Sequence, residues 1–224
     1  MRAGRAKFWC KALPLLLSVG GGFLLSGCTK VDNRSSVLVI VIDRLGVDSV
    51  TCSSEAPGFL KLCDESLRFT HGYTTSTLSA PAMGSILTGQ YPYETGLHHN
   101  GGGELGVMSS SVESVAELAL HAGFRTAFFA GSAPLLRRTG LHQGFEIFDD
   151  SITTDSVRLH RPAHEVVDLF LQWQAQVQKS NASTPFFAVL HFGDLQFPWA
   201  PTLDESGRPR ENTVRAQVEE SDSS

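Results

Sequence analysis

Basic residues are sparse in this chain of 224 residues, and no basic block occurs beyond position 11. The chain carries 18 Lys and Arg against 23 Asp and Glu, a net charge of −5, so nucleic acid is not expected as a partner. It also has only four Cys and no internal repeat. The apolar fraction of 42% is ordinary and is enough for a packed core, so the length indicates one domain, or one domain with a tail.

The first 28 residues have the features of an export signal. A basic head without acidic residues precedes a largely apolar stretch at 12–25, which is short for a transmembrane helix. The stretch ends in LSGC at 25–28, which resembles the lipobox of bacterial lipoproteins. The resemblance implies cleavage before Cys28 and acylation of its thiol. Membrane lipid is then a partner, and we expect a lipid-anchored protein of the bacterial cell envelope, at the outer membrane or facing the periplasm.

Two cysteines remain once such a signal is removed, Cys52 and Cys63. In an exported protein the two thiols could form a disulfide. They could equally be two small buried residues, because sequence spacing does not determine pairing. Both interpretations stay open on the sequence alone.

Apolar runs alternate with helical patterns along the rest of the chain. Strands are predicted at 37–42, 67–73, 124–130 and 185–192. Helices are predicted at 57–66, 81–88, 112–121 and 164–178, the third preceded by a capping box of Ser110 and Glu113. The alternation predicts an α/β fold with a mostly parallel sheet flanked by helices.

The strand at 37–42 is β-branched throughout apart from one Leu, which is typical of a central parallel strand with both faces buried. Asp43 follows it directly. In open α/β sheets ligands bind beyond the carboxyl ends of the strands, so Asp43 is placed where chemistry is expected. His71 and His191 also fall near strand ends and are interpreted as packing or hydrogen-bonding residues.

Six segments in one order resemble the sulfatase family of the alkaline phosphatase superfamily. They are VLVIVID at 37–43, RFTHGYTTS at 68–76, TLSAPAMGSILTGQYP at 77–92, GFRTA at 123–127, GFEIFD at 144–149 and PFFAVLHFGDLQFP at 185–198. They cover the N-terminal half of a sulfatase domain, so we expect an alkaline-phosphatase-like sheet that is incomplete. The predicted organisation is a signal peptide at 1–28, a tether at 29–36, a partial domain at 37–203 and a polar, disordered tail at 204–224.

The resemblance implies a metal-dependent sulfuric ester hydrolase. In that family the nucleophile is a formylglycine made from the residue that opens the signature, and Ser79 holds that position here. Asp43 matches the first ligand of a Ca²⁺ or Mg²⁺ ion, and Asp194 and Gln196 are weaker candidates on the substrate side. Ser79 would begin a helix, and a helix N-terminus favours an anionic group, although Ser at that place can also be a simple cap.

Three residues depart from the family pattern. Met83 stands in place of the signature Arg and has neither its charge nor its donors, which puts the conversion of Ser79 in doubt. Arg44 replaces a second ligand Asp, and a cation beside a cation site is unfavourable. Gln196 replaces a His and cannot act as a general acid. We therefore expect a truncated and degenerate sulfatase-family lipoprotein that is inactive on its own.

Two alternatives differ in function class. One is a non-catalytic binding or structural lipoprotein, and the other is a Ser-dependent phosphatase or transferase of the same superfamily. The expected ligand is a sulfated or phosphorylated small molecule or glycan. Because an incomplete parallel sheet exposes an edge and an apolar face, marginal stability or self-association is also expected.

Overall fold

The computed structural model describes residues 34–46, 57–101, 106–152, 160–180 and 183–195. The strands are β1 (Val37–Ile42), β2 (Arg125–Phe129), β3 (Ile147–Asp149) and β4 (Phe186–Phe192). The helices are α1 (Pro57–Glu65), α2 (Ser79–Thr88), α3 (Pro92–Thr95), α4 (Val115–His121) and α5 (Ala163–Ser180). Within this described part of the chain, no helix combines the length and the apolar character needed to cross a bilayer.

The four strands form one parallel sheet in the order β1-β4-β2-β3. Parallel neighbours need crossover connections. Helices α1–α4 lie between β1 and β2 in the chain and α5 lies between β3 and β4, whereas β2 and β3 are linked by turns and the short 3-10 helix Arg137–Thr139. The predicted α/β class and its mostly parallel sheet are confirmed. The carboxyl ends of β1 and β4 lie side by side, since Val41 pairs with His191 and Ile42 with Phe192.

Strand β4 separates two apolar layers. Phe187 and Val189 belong to the layer that contains α2 and α4 residues, while Ala188, Leu190 and Phe192 belong to the layer that contains α5 residues. Alternate side chains of a strand point to opposite faces, so an apolar run buried on both faces fits this central position. Helix α5 covers its layer with an apolar stripe spaced by three or four residues, namely Val166, Phe170, Trp173 and Val177.

The prediction that β1 is a central strand is wrong for the described residues. Its hydrogen-bonded neighbour there is β4 alone, so β1 is an edge strand. Val37, Leu38 and Ile40 are exposed, and Ile40 keeps 53% of its surface. The apolar pattern indicated a strand that can be buried on both faces, but a pattern within one strand carries no information about its neighbours.

The predicted strand at 67–73 is also wrong. Those residues have no regular secondary structure and are exposed, with Leu67, Phe69 and Tyr73 each at least 79% exposed. The alternation of residue types there was real, but among the described residues no sheet edge pairs with it. His71, placed by that prediction at a strand end, is exposed instead.

Helix α4 begins later than predicted. Ser114, not Ser110, is its N-cap, and its Oγ accepts a hydrogen bond from the Glu117 backbone N–H at 3.1 Å. The Glu117 carboxylate accepts in return from the Ser114 N–H at 2.8 Å. The two Ser-x-x-Glu patterns follow one another directly in sequence, at 110–113 and 114–117, and only the Ser of the second stands directly before the helical segment. Cys63, on α1, is disulfide-bonded, while Cys52 lies outside the described residues.

Candidate functional site

Asp43 and Ser79 meet at the carboxyl edge of the sheet. Asp43 directly follows β1, and its N–H donates to the Phe192 carbonyl at 3.0 Å, which ties it to the end of β4. Ser79 is the first residue of α2, and its Oγ donates to Asp43 Oδ2 at 2.7 Å across a sequence separation of 36 residues. The two residues that the family resemblance singled out, from separate segments of the sequence, are therefore in direct contact, although their chemical roles remain predictions.

The Ser79 hydroxyl does not cap its own helix. The N-cap residue of α2 is Leu78, without a side-chain cap, and the Ala80 N–H donates instead to Asn100 Oδ1 at 3.0 Å. The helix dipole places partial positive charge at this end of α2. A hydroxyl, a carboxylate and a helix N-terminus thus lie close together. Of these three, the helix N-terminus is the group that favours an anionic ester oxygen.

His191 lies against the same carboxylate and is fully buried. Its Nε2 is 3.2 Å from Asp43 Oδ2, an ion-pair distance at which the geometry falls short of an aligned hydrogen bond. The sequence analysis interpreted His191 as a packing or hydrogen-bonding residue and did not identify Asp43 as its neighbour. The signal was present in β4, where a His interrupts a strand whose other residues are all apolar.

Two backbone features shape the edge of the site. Arg44 has a φ of 60°, in the left-handed region that Arg rarely adopts, and its side chain is exposed. The turn at Asp43 and Arg44 follows the last residue of β1, Ile42. Gly131 lies just beyond β2, and a Cβ there would stand 2.2 Å from the His191 carbonyl oxygen, so only glycine allows this approach.

Met83 packs in the core and takes no part in the contacts of the site. It is 2% exposed and belongs to the apolar layer with Ala80, Leu87 and Leu97. A charged Arg in that surrounding would need buried partners, and an apolar Met needs none. The sequence departure at this position is therefore matched by an apolar environment.

Asp194 binds the N-terminus of α5, and among the described contacts it has none with Asp43 or Ser79. Its Oδ1 accepts from the Ala163 N–H at 2.9 Å, so it satisfies a donor in the first turn of α5. Burial raises the pKa of Asp194, against the hydrogen bond from Ala163 and the nearby His160, which lower it. Cys28 and Gln196, the other predicted functional residues, lie outside the described residues.

A second polar cluster surrounds Arg161, which is 6% exposed. Its Nη2 donates to Asp149 Oδ1 and to the Ser151 carbonyl, both at 2.8 Å. Burial favours the neutral form of Asp149, but hydrogen bonds from Ser151 and Arg161 outweigh burial and lower its pKa. This cluster lies at the end of β3 and is a structural ion pair rather than part of the Asp43 site.

The described residues do not form a complete site for a divalent cation. Among them no group of three or more His, Cys, Asp and Glu side chains is close enough to hold a metal. Ca²⁺ takes about six to eight oxygen ligands and Mg²⁺ about six, and Asp43 with the Ser79 hydroxyl supplies a small part of either set. Further ligands would have to come from outside these residues.

The fold is an open α/β sheet, and its Ser and Asp meet at the carboxyl edge where proteins of that class bind their ligands. The sequence model of the sulfatase family matches residues 35–213. The chain belongs to the sulfatase family.

Two curated relatives are sulfatases. An N-acetylgalactosamine-6-O-sulfatase of Bacteroides thetaiotaomicron is 29% identical over 131 residues, which are 52% of this chain and 25% of the relative. A choline-sulfatase of Rhizobium meliloti is 32% identical over 126 residues, 54% of this chain and 23% of the relative. The chain therefore spans about a quarter of the length of these relatives.

Solved structures share the fold at low sequence identity. BT4656, solved in complex with its substrate D-glucosamine-2-N,6-O-disulfate, has a TM-score of 0.61 and 19% identity over 75% of this chain and 36% of that chain. A protein of the alkaline phosphatase superfamily from Vibrio parahaemolyticus has a TM-score of 0.60 and 17% identity over 84% of this chain and 48% of that chain. The expected alkaline-phosphatase-like fold is confirmed over part of those chains.

Proposed function

We propose that this chain provides the nucleophile-bearing half of a sulfuric ester hydrolase site and does not turn over sulfate esters on its own. The contact between Ser79 Oγ and Asp43 Oδ2, 2.7 Å long, carries the proposal. It joins the residue at the nucleophile position to the residue at the first metal-ligand position, at the N-terminus of α2. The proposed ligand is a sulfated small molecule or glycan, as the names of the relatives suggest.

The electrostatics of the pair support the absence of turnover. An ester oxyanion beside the Asp43 carboxylate experiences repulsion unless cations offset it. Within the described residues, the side chain next to Asp43 that carries positive charge is the exposed Arg44. A divalent cation, Ca²⁺ or Mg²⁺, would supply this charge in a complete site, but the described residues offer too few ligands for such an ion.

The sequence features of residues 1–28 support a location in the bacterial cell envelope. We propose that acylated Cys28 anchors the chain to a membrane, with residues 29–36 as a tether between the lipid and the folded part. A tethered domain of this kind would face the periplasm or lie at the outer membrane. What supports this proposal is the order of basic head, apolar stretch and LSGC sequence at positions 1–28.

A Ser-dependent phosphatase or transferase is the second candidate, and one observation favours it. Met83 is buried and apolar, so Ser79 has no signature Arg to support its conversion and would act as an unmodified hydroxyl. Its proton already points to a carboxylate, as a hydroxyl nucleophile requires of a neighbouring base. On this hypothesis Ser79 Oγ bonds to phosphorus as Asp43 accepts its proton, and the bond between phosphorus and the leaving oxygen breaks, that oxygen taking a proton from solvent.

One panel of assays tests both candidates. Purified full-length chain is offered 4-nitrophenyl sulfate and 4-nitrophenyl phosphate with and without Ca²⁺ or Mg²⁺, beside Ser79→Ala and the exposed-loop control Ser110→Ala. We expect no sulfate turnover above the Ser79→Ala background. Sulfate turnover that disappears in Ser79→Ala and persists in Ser110→Ala would contradict the proposal. Phosphate turnover with the same dependence would establish the second candidate instead.

A further inference from the structure

His191 occupies a position where the strand calls for an apolar side chain. Phe187 and Val189 lie four and two residues before it, on the same face of β4, and both belong to the apolar layer with α2. The next place on that face holds a fully buried imidazole. Core packing alone does not account for a polar ring there, because burying it costs free energy unless its nitrogens are bonded.

The ring nitrogens find little compensation. Neither has an aligned hydrogen bond within the described part of the chain. The polar group that faces the ring is Asp43, whose Oδ2 lies 3.2 Å from Nε2. The same oxygen accepts the hydrogen bond from Ser79 Oγ at 2.7 Å. His191 therefore touches the carboxylate at the atom that contacts the Ser hydroxyl.

We infer that His191 is a positioning residue that holds the Asp43 carboxylate toward Ser79. A carboxyl group has a broad range of rotation about its terminal torsion. A ring nitrogen beside Oδ2 narrows it and keeps that oxygen on the side of α2. The imidazole does not reach the Ser hydroxyl itself, so its effect is transmitted through Asp43.

Backbone contacts on two sides fix the position of the chain at His191. The Asp43 N–H donates to the carbonyl of Phe192, the residue after His191, so the end of β1 cannot shift without that bond. On the other side, Gly131 brings its backbone so close that a Cβ would stand 2.2 Å from the His191 carbonyl oxygen. These backbone contacts at His191 and Phe192 limit how far the imidazole can move relative to the Asp43 carboxylate.

Crystal structures of the full chain and its variants test the inference without depending on turnover, so it can fail separately from the proposed function to whose site it belongs. In His191→Leu we expect the separation of Asp43 Oδ2 and Ser79 Oγ to exceed about 3.5 Å, beyond a hydrogen bond. His191→Gln, which retains an amide donor, should keep the pair. Val189→Ile, a core change on the same face, should also keep it.

Thermal unfolding distinguishes positioning from a purely structural role. A positioning role predicts a melting temperature for His191→Leu no lower than that of wild type, since Leu suits the apolar face. A melting temperature of His191→Leu below that of wild type would show a structural role and overturn the inference. The shorter His191→Asn gives a second structural comparison, with the same loss of the contact between Asp43 and Ser79 expected. A retained 2.7 Å pair in the apolar or shortened variant, or its loss in His191→Gln, would overturn the inference.

Discussion

At the scale of single residues, the carboxyl end of the sheet holds aspartates in very different surroundings. Asp149 faces the guanidinium of Arg161 and the Ser151 hydroxyl, and these hydrogen bonds lower its pKa in spite of burial. Asp194 is buried with fewer donors, and burial raises its pKa. The surroundings, not the residue type, decide how each carboxylate contributes to folding and which of them is available for chemistry.

Asp149→Ala tests the contribution of the buried ion pair. The substitution leaves the Arg161 guanidinium buried without its counter-charge, and breaking such a pair typically costs about 3 kcal/mol or more. We expect a loss of that order in the free energy of unfolding, measured by urea denaturation near pH 7. Asp168→Ala, on the exposed side of α5, should change it by less than about 0.5 kcal/mol. Equal effects of the two substitutions would contradict the assignment.

The same pair gives a pH dependence with a defined sign. The pKa of Asp149 is lower in the folded chain than its ordinary value of 3.8, so the ionised group stabilises the fold above that value. This contribution is lost as the pH falls through the lowered pKa. The stability difference between wild type and Asp149→Ala should therefore narrow below about pH 4 and stay constant above it.

At the scale of elements, substitutions at the start of α4 test which of two serines, Ser114 or Ser110, caps the helix. Ser114→Ala removes the acceptor for the Glu117 N–H and a hydroxyl that donates to the Gln143 carbonyl at 3.0 Å. Loss of such a cap costs about 1 kcal/mol, so a lower unfolding midpoint in urea is expected. Ser110→Ala, in the pattern that the sequence favoured, should leave the midpoint unchanged. A larger effect at Ser110 than at Ser114 would restore the original prediction.

The elements that sequence patterns located well are those whose pattern reports burial. Strand β4 was predicted to within one residue, and α5 to within two residues at its C-terminus, because their apolar residues recur at the period of the element. The segment 67–73 alternates too, yet it has no strand partner in the described structure. Pairing depends on what lies beside a strand, and that information is outside the strand itself.

The sequence identified some residues of the candidate site and not the contacts of others. Asp43 and Ser79 were identified by motif resemblance, and the structure places them in hydrogen-bond contact. His191 was interpreted only as a packing or hydrogen-bonding residue, because its contact with Asp43 arises from the parallel register of β1 and β4, which no local pattern specifies. Its only sequence signal was a polar residue within an apolar strand, and that signal gives no partner.

At the scale of the whole molecule, the apolar surface of β1 is where self-association is expected to begin. Among the described residues β1 is an edge strand, and it adds exposed Val37, Leu38 and Ile40 to an edge whose backbone groups can accept another strand. The chain also spans only 25% of one curated relative and 36% of BT4656. An edge of this composition favours contact with a further strand over contact with water.

Substituting Lys for Ile40 should suppress self-association. A charged side chain on an edge strand opposes strand addition, and Ile40 is 53% exposed, so the fold can accept Lys there. Light scattering behind size-exclusion chromatography should show the mass of wild type rising with concentration and that of Ile40→Lys remaining at the monomer value. Leu171→Lys, at a site on α5 that is 50% exposed, should behave as wild type does. A monomeric wild type at every concentration, or equal suppression by both substitutions, would show that β1 does not drive association.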